Sequence, residues 1–340
     1  MNRTTENTPD HDNAWQNAAS LSPQGVTAIV IGRNEGERLL RCLRSLLPQV
    51  GHVIYVDSGS TDGSATQAAA LGAEVVALDM TQPFTAARAR NTGLARLGSG
   101  EFVQFVDGDC EVEPGWIATG LAALAAEPRL AVVAGRRRER HPEVSVYNRL
   151  CDAEWNTPIG PARAVGGDLL ARRAALVEVG GYDPGLIAGE EPEMCLRLAR
   201  AGWGIRRLDA PMTLHDAAMT RLGQWSRRTR RAGHAFAEVS WRYRDGPEGF
   251  WRRETRRALV WAVALPLLIV IGALLTPWAW LGLLAYPLQI LRMALRDPDP
   301  RDRWPRAFYT MLGKFPEARG ALEFHLRRLA GRRSELIEYK

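Results

Sequence analysis

The stretch EFVQFVDGDCEVEPGWI, residues 101–117, decides the fold. Its first half carries Phe102, Val103, Phe105 and Val106, a short apolar run of the kind that forms a fully buried strand. It runs straight into Asp107 and Asp109 with only Gly108 between them. Two carboxylates forced together at the end of a core strand raise each other's energy unless a cation neutralises them. Oxygen-only ligands suit a hard ion, Mg2+ or Mn2+, which binds through one or two carboxylates plus substrate phosphates.

Working backward, the same alternation recurs. VTAIVIG (26–32) is β-branched and ends at glycine, ERLLRCLRSLL (37–47) has leucines at helical spacing, and HVIYVD (52–57) is a second strand. Residues 63–79 give a helix then a strand, 84–98 a helix, and 101–107 the fourth strand. Strands and helices alternating at this spacing predict βαβ units, hence an α/β fold with a mostly parallel central sheet. Ligands in such sheets bind beyond the carboxyl ends of the strands. GRNEGE, DSGSTDGS and DGDCE fall at those ends, which folding needs alone do not explain.

Working forward, residues 166–184 read as strand, helix and Gly-Gly turn, and 190–203 as a helix opening with acids that suit its dipole. Residues 204–216 read as extended and 224–241 as helical. Between Arg257 and Arg292 no charged residue occurs. That run is too long for one membrane helix of ~20 residues and just enough for two. Thr276-Pro277-Trp278 sits where a hairpin turn belongs, and arginines flank both ends, which the positive-inside rule places together in the cytoplasm. Spans of about 258–275 and 278–294 follow, with interfacial helices that never cross as the competing reading.

The chain has 340 residues and a net charge of +6. Its arginines cluster in 136–140, 227–231, 252–257 and the C-terminal stretch. Nothing resembles a helix-turn-helix, a zinc finger or an aromatic RNA platform, so no nucleic-acid partner is expected. Cys42, Cys110, Cys151 and Cys195 lie far apart and read as reduced thiols. Residues 1–24 read as a disordered tail without a signal peptide, 25–245 as the main domain with halves 25–110 and 111–245, 246–297 as a membrane hairpin, and 298–340 as a basic tail whose last stretch, 326–340, reads as helical.

Taken in order, VIGRNEGERLLRCLRSLL, VIYVDSGSTDGS, ARARNTGLA, FVQFVDGD, GGDLLARRAALVEVGGYDP and GEEPEMCLRLARAGW resemble the inverting family 2 glycosyltransferases of the GT-A fold. The resemblance covers roughly residues 25–240. It implies that Asn34, Glu35 and Asp57 hold the nucleoside of a nucleotide-diphosphate sugar, with Arg90 close to the nucleotide. Ser58 departs from the second aspartate the family often has there. Asp107 is expected to face ribose and metal, and Asp109 to bind Mg2+ or Mn2+ directly. Glu191 matches the family's catalytic base and Glu190 its neighbour, although the family more often has aspartate at the base position. His215 is a candidate third metal ligand against a structural reading. Arg227 and Arg228, like residues 135–140, read either as diphosphate contacts or as a solvated or lipid-facing side. The implied activity is sugar transfer to a lipid-linked or polysaccharide acceptor by an enzyme at the cytoplasmic membrane, its catalytic domain facing the cytoplasm. A polyprenyl-phosphate sugar transferase and a silent scaffold or binding subunit are the alternatives.

Overall fold

The computed structural model describes residues 22–98, 100–332 and 337. The tail read for residues 1–24 therefore falls almost wholly outside the described residues, which begin with a single turn at Pro23–Gly25.

The first half is a repeating strand–helix unit: β1 (Val26–Gly32), α1 (Glu37–Leu46), β2 (His52–Asp57), α2 (Ser64–Ala70), β3 (Glu74–Ala77), α3 (Ala86–Leu94) and β4 (Phe102–Asp107). Strands β1, β2 and β4 are buried along nearly their whole length, as parallel strands covered on both faces must be. The single polar residue inside β4, Gln104, is fully buried. Its amide donates to the Phe105 carbonyl at 2.8 Å and accepts from the Trp116 indole at 2.8 Å, so burial leaves neither end unpaired.

The chain continues through β5 (Cys110–Val112), α4 (Trp116–Ala126), β6 (Leu130–Glu139), α5 (Val146–Glu154), β7 (Gly160–Pro161), β8 (Leu169–Arg172), α6 (Arg173–Glu178), α7 (Glu190–Arg200), β9 (Gly204–His215) and α8 (Leu222–Arg242). One sheet holds all the strands in the order β3-β2-β1-β4-β8-β6-β9-β5, with β7 on β9. Pairs β3–β2, β2–β1, β1–β4 and β6–β9 are parallel, whereas β8 runs antiparallel to both β4 and β6. The strand order turns at β1, which places the carboxyl ends of β1 and β4 side by side: Ile31 is level with Asp107, and the Gly108 N–H donates to the Ile31 carbonyl at 2.8 Å. This is the crevice where an open α/β sheet takes its ligand.

Beyond the sheet, α9 (Arg252–Leu259), a π-helical turn (Val260–Ala264) and α10 (Leu265–Leu275) form one continuous helix of 24 residues. Among the described residues it is the one helix long and apolar enough to cross a membrane, and little of it is buried. The chain reverses at Thr276 and returns through a 3-10 segment (Pro277–Leu284) and α11 (Ala285–Arg296). The two legs touch at Gly272–Ala279 and Ile269–Gly282, and the Tyr286 hydroxyl donates to the Trp261 carbonyl at 2.6 Å. The return leg is thus shorter and less regular than the span expected over 278–294.

The basic C-terminal stretch holds two helices among the described residues, α12 (Arg303–Leu312) and α13 (Lys314–Leu329), so helix begins well before the 326–340 expected, and α13 packs along α8. Two glycines make that contact possible. A Cβ on Gly233 would lie 2.0 Å from the Glu317 carbonyl oxygen, and one on Gly320 would lie 2.0 Å from the Arg230 carbonyl oxygen. Each helix thus presses its backbone into the gap left by the other's missing side chain.

Candidate active site

The β1–β4 crevice widens into a cavity of about 810 Å³ between the parallel half of the sheet and α5, α7 and α8. Its floor is the two strand ends, Ile31–Glu35 and Asp107–Asp109, and its far wall is Gly189–Pro192. Of the residues singled out above, Asn34, Glu35, Arg90, Asp107, Asp109, Glu190, Glu191 and His215 all line it.

Asp57 does not. Its carboxylate is turned back into its own loop, accepting from the Tyr55 hydroxyl at 2.9 Å and from the Gly59 and Ser60 N–H groups at 3.1 and 3.0 Å. It shapes the loop against which Asn34 packs. Asn34 sits in the left-handed region (φ 56°), donates its N–H to Ser60 Oγ at 2.9 Å and accepts from the Thr61 N–H at 2.7 Å.

Arg90 organises the centre. It lies on α3, whose next residue, Asn91, clamps the Gly-Gly turn of the second half by donating to the Tyr182 carbonyl at 2.7 Å and accepting from its N–H at 2.9 Å. The nearly fully buried guanidinium reaches Asp107 Oδ1 at 2.9 Å with one nitrogen, and Glu190 Oε1 and Glu191 Oε1, both at 2.9 Å, with another. The strand-end carboxylate and the two helix-start carboxylates therefore share one cation. Gly167 passes so close that a Cβ there would stand 2.5 Å from Arg90 and 2.9 Å from Asp107. Burial, then the Glu190 charge, push the Glu191 carboxyl up to about 7, with Arg90 opposing them. A carboxylate poised near neutrality is suited to general-base work.

The other oxygen of Asp107 faces Arg137 at 3.3 Å, and Arg137 also approaches Asp168 Oδ2 at 3.4 Å while its guanidinium lies 4.8 Å from the Trp155 ring centre. Arg137 belongs to the run 135–140 read above as diphosphate contacts or a solvated side, and the structure turns it into the site; Asp168 and Trp155 escaped the sequence reading. Register shifts interrupt β6 beside Arg136 and Arg137, so consecutive arginines diverge. Arg136 takes Asp152 at 2.9 Å while Arg137 enters the site. Asp168 is fully buried and ties the strands together, accepting from the Asp107 N–H at 3.1 Å and the Thr213 hydroxyl at 2.8 Å.

Strand pairing sets His215 opposite Cys110 on one side and Glu139 on the other. Its Nε2 lies 3.4 Å from Asp109 Oδ2, both groups are nearly fully buried, and burial followed by the charge of Arg137 holds the imidazole well below its usual pKa. A neutral imidazole facing a carboxylate, with the Asp107 carboxylate in the same cavity, is a nitrogen-and-oxygen donor set that fits Mn2+ or Mg2+. Cys110 lies within the same cluster, but burial holds its thiol protonated, which makes it a poor ligand. Arg228 also borders the cavity and pairs with Glu154; Arg227 is not among its lining residues.

Residues 27–164 match the family described as Glycosyl transferase family 2. The pre-mycofactocin glycosyltransferase of Mycobacterium tuberculosis is 29% identical over 236 residues, 66% of this chain and 49% of that protein. Glycosyltransferase AglE of Haloferax volcanii is 26% identical over 197 residues, 53% of this chain and 63% of that protein. The chain thus matches only about half to two thirds of the length of these relatives. The mannosyltransferase PcManGT from Pyrobaculum calidifontis, solved with GDP-Man and Mn2+, superposes with a TM-score of 0.61 at 20% identity, covering 88% of each chain, a likeness of fold. Residues 27–164 are thus similar to the Glycosyl transferase family 2 domain, and the chain shares the GT-A fold of PcManGT.

Proposed function

We propose that this chain is a metal-dependent inverting glycosyltransferase. It moves a sugar from a nucleotide-diphosphate donor to a lipid-linked or polysaccharide acceptor at the cytoplasmic face of a membrane. The observation that carries this reading is the Arg90 hub. One guanidinium joins the donor-side carboxylate Asp107 to the acceptor-side pair Glu190 and Glu191, and it does so in the cavity that also holds Asp109 and His215.

Asp109 and His215, with Asp107 beside them, would hold the divalent ion, which when bound neutralises the diphosphate and eases its departure. Asn34 and Glu35 border the end of the cavity where the nucleoside would lie. Glu191 takes the proton of the acceptor hydroxyl as the new oxygen–anomeric carbon bond forms. The bond from that carbon to the phosphate oxygen breaks, and the nucleoside diphosphate leaves with the electron pair. Glu190 and Arg90 keep Glu191 aimed. The hairpin of residues 252–296, with arginines at both ends, supports membrane attachment, and those arginines would face anionic headgroups.

The test is release of nucleoside diphosphate from a panel of nucleotide sugars by the protein in detergent, with and without Mn2+ or Mg2+, against Asp109→Ala. Metal-dependent turnover of one donor, lost in the variant, is expected. Silence across the panel together with no metal-dependent nucleotide binding would sink the reading and leave a non-catalytic binding subunit. Full activity in Glu191→Gln would instead point to a phosphate acceptor, which brings no proton to remove.

A further inference from the structure

A second cavity, about 360 Å³, adjoins the first and is enclosed by α5, α8, α12 and α13. Its size lies within the range of ~300–1,000 Å³ typical of small-molecule sites. Leu150, Trp225 and Tyr309 give it an apolar side; Arg228 and Arg306 face it beside Glu154 and Glu317, and Arg306 is held by Asp297 and Asp299 at 2.8 and 3.1 Å, which leaves Arg228 as the cation placed to exchange its partner. Glu154, Arg228, Ala232 and Phe236 line both cavities and so form the partition between them. Across it the Arg228 guanidinium donates to both oxygens of Glu154, at 2.8 Å each. This part of the partition is made by two long side chains, and the Glu154 side chain is 58% exposed, so solvent could take it if an anion took Arg228. A guanidinium already gripping a two-oxygen anion in a fork is matched to a phosphate in the same place.

The outer side of the enclosure is equally specific. Helix α12 turns Arg306, Tyr309 and Thr310 to the cavity, while Trp304 and Phe308, one turn apart, are 47% and 49% exposed. Exposed Phe315, Leu322, Leu326 and Leu329 repeat at helical spacing along α13. They extend the exposed apolar surface of α10 and α11, against the latter of which α12 packs. The second cavity therefore stands between a strip of apolar surface suited to lipid and the site of Glu191.

We propose that this second cavity is the anchor site of an amphiphilic, anionic acceptor. Its apolar chain lies among Leu150, Trp225 and Tyr309, and its phosphate or similar anion takes Arg228 from Glu154. The end to be glycosylated then passes through the opened partition to Glu191. The proposal rests on the transferase reading of the main cavity and gives that reading an acceptor class.

Farnesyl phosphate is the probe, with its binding to the full chain in detergent measured by equilibrium dialysis beside farnesol and inorganic phosphate. Farnesyl phosphate is expected to bind at least about tenfold tighter than either fragment. Thr310→Trp, which fills the cavity, and Arg228→Gln each weaken it about tenfold or more, whereas Glu154→Gln, which removes the competing carboxylate, tightens it severalfold. Leu322→Ala, exposed and lining neither cavity, leaves it unchanged. Equal binding of farnesol, or of inorganic phosphate alone, overturns the proposal. So does a Thr310→Trp protein that binds farnesyl phosphate as before. If Thr310→Trp does not fold, the opposite signs at Arg228 and Glu154 decide. Donor hydrolysis without farnesyl phosphate binding overturns this inference alone; the expected binding order with neither donor hydrolysis nor metal-dependent nucleotide binding overturns the transferase reading and, with it, the acceptor role of the second cavity.

Discussion

Replacing Arg90 by glutamine tests the central claim that one guanidinium sets the working state of Glu191. Arg90 lies 2.9 Å from the Glu191 carboxylate, and at an effective dielectric of ~20 that separation gives about 6 kcal/mol of attraction, or roughly four pK units as an upper limit. Water entering the space left by the guanidinium screens most of the change, so a shift of about one unit or more is the expected outcome. Glu191 stands at about 7 with Arg90 opposing burial and the Glu190 charge. In Arg90→Gln the acid limb of the pH–rate profile therefore moves from about 7 to about 8 or above. Arg90→Lys keeps the charge but loses the fork, so its limb stays near 7 while its rate falls. The assay is acceptor-dependent release of nucleoside diphosphate from about pH 5 to pH 9, with each variant's fold checked by circular dichroism. The glutamine variant also leaves buried carboxylates short of their partner, which costs about 3–5 kcal/mol and more at alkaline pH, where all are ionised. A folded Arg90→Gln whose limb stays at about 7, or a lysine variant that shifts as far as the glutamine one, would refute the reasoning.

Glu191→Gln is expected to lower kcat by about 10²–10⁴-fold with little change in KM and to abolish the acid limb; an unaltered limb assigns the titration elsewhere. The same change raises stability at alkaline pH. Between its usual value of 4.5 and about 7, the folded wild type holds a proton on Glu191 that the unfolded chain has released, so wild-type stability falls as pH rises through that window, by up to about 3 kcal/mol. Thermal unfolding at about pH 8 should accordingly show a higher midpoint for the variant, and a lower one would show that its Arg90 contact outweighs its burial. Asp109→Asn and His215→Ala should each weaken Mn2+ binding, followed by electron paramagnetic resonance, by about 10–100-fold, and unchanged binding would place the ion elsewhere. Gly233→Ala drives a methyl group into the Glu317 carbonyl and should cost about 1–3 kcal/mol, with amide protection lost first in α13; protection unchanged there would mean that α8 and α13 do not share this contact.

The fold was largely legible because a parallel sheet writes itself as apolar runs. Strands β1, β2 and β4 begin and end within a residue of where VTAIVIG, HVIYVD and EFVQFVD place them, since each run is buried on both faces and closes on a glycine or an aspartate that ends the apolar pattern. The docking of the C-terminal helices was not legible in that way. A helical, basic tail could be read, yet the packing of α13 on α8 depends on Gly233 and Gly320, residues with no side chain to form a pattern. The return leg of the hairpin also differs. Its composition suits a second span, but Pro277 and the 3-10 segment it opens shorten the regular part to α11.

For the site, residue types could be read and partners could not. Asp107 and Asp109 read as answered by a metal, and Glu191 and Glu190 as a catalytic base and its neighbour at a helix start, with no cation within the chain named for either pair. The structure divides the problem. Asp107 is held between Arg90 and Arg137, Asp109 faces a neutral imidazole, and Glu190 and Glu191 share Arg90 with Asp107. Asp57, which looked like the same kind of acid, spends its oxygens on its own loop because two N–H groups and a tyrosine hydroxyl lie within reach. Residues 135–140 stood as candidate diphosphate contacts, but which arginine of the run faces the site could not be read, because the irregular register of β6 breaks the two-residue alternation by which an inward-facing side chain is recognised. A strand end crowded with negative charge is therefore tolerable here before any cation arrives, since the repulsion is met by arginines drawn from α3 and from β6. A metal and diphosphate entering the cavity would exchange partners with those arginines rather than fill an uncompensated field, which ties affinity for the donor to the same two side chains that keep the free site folded.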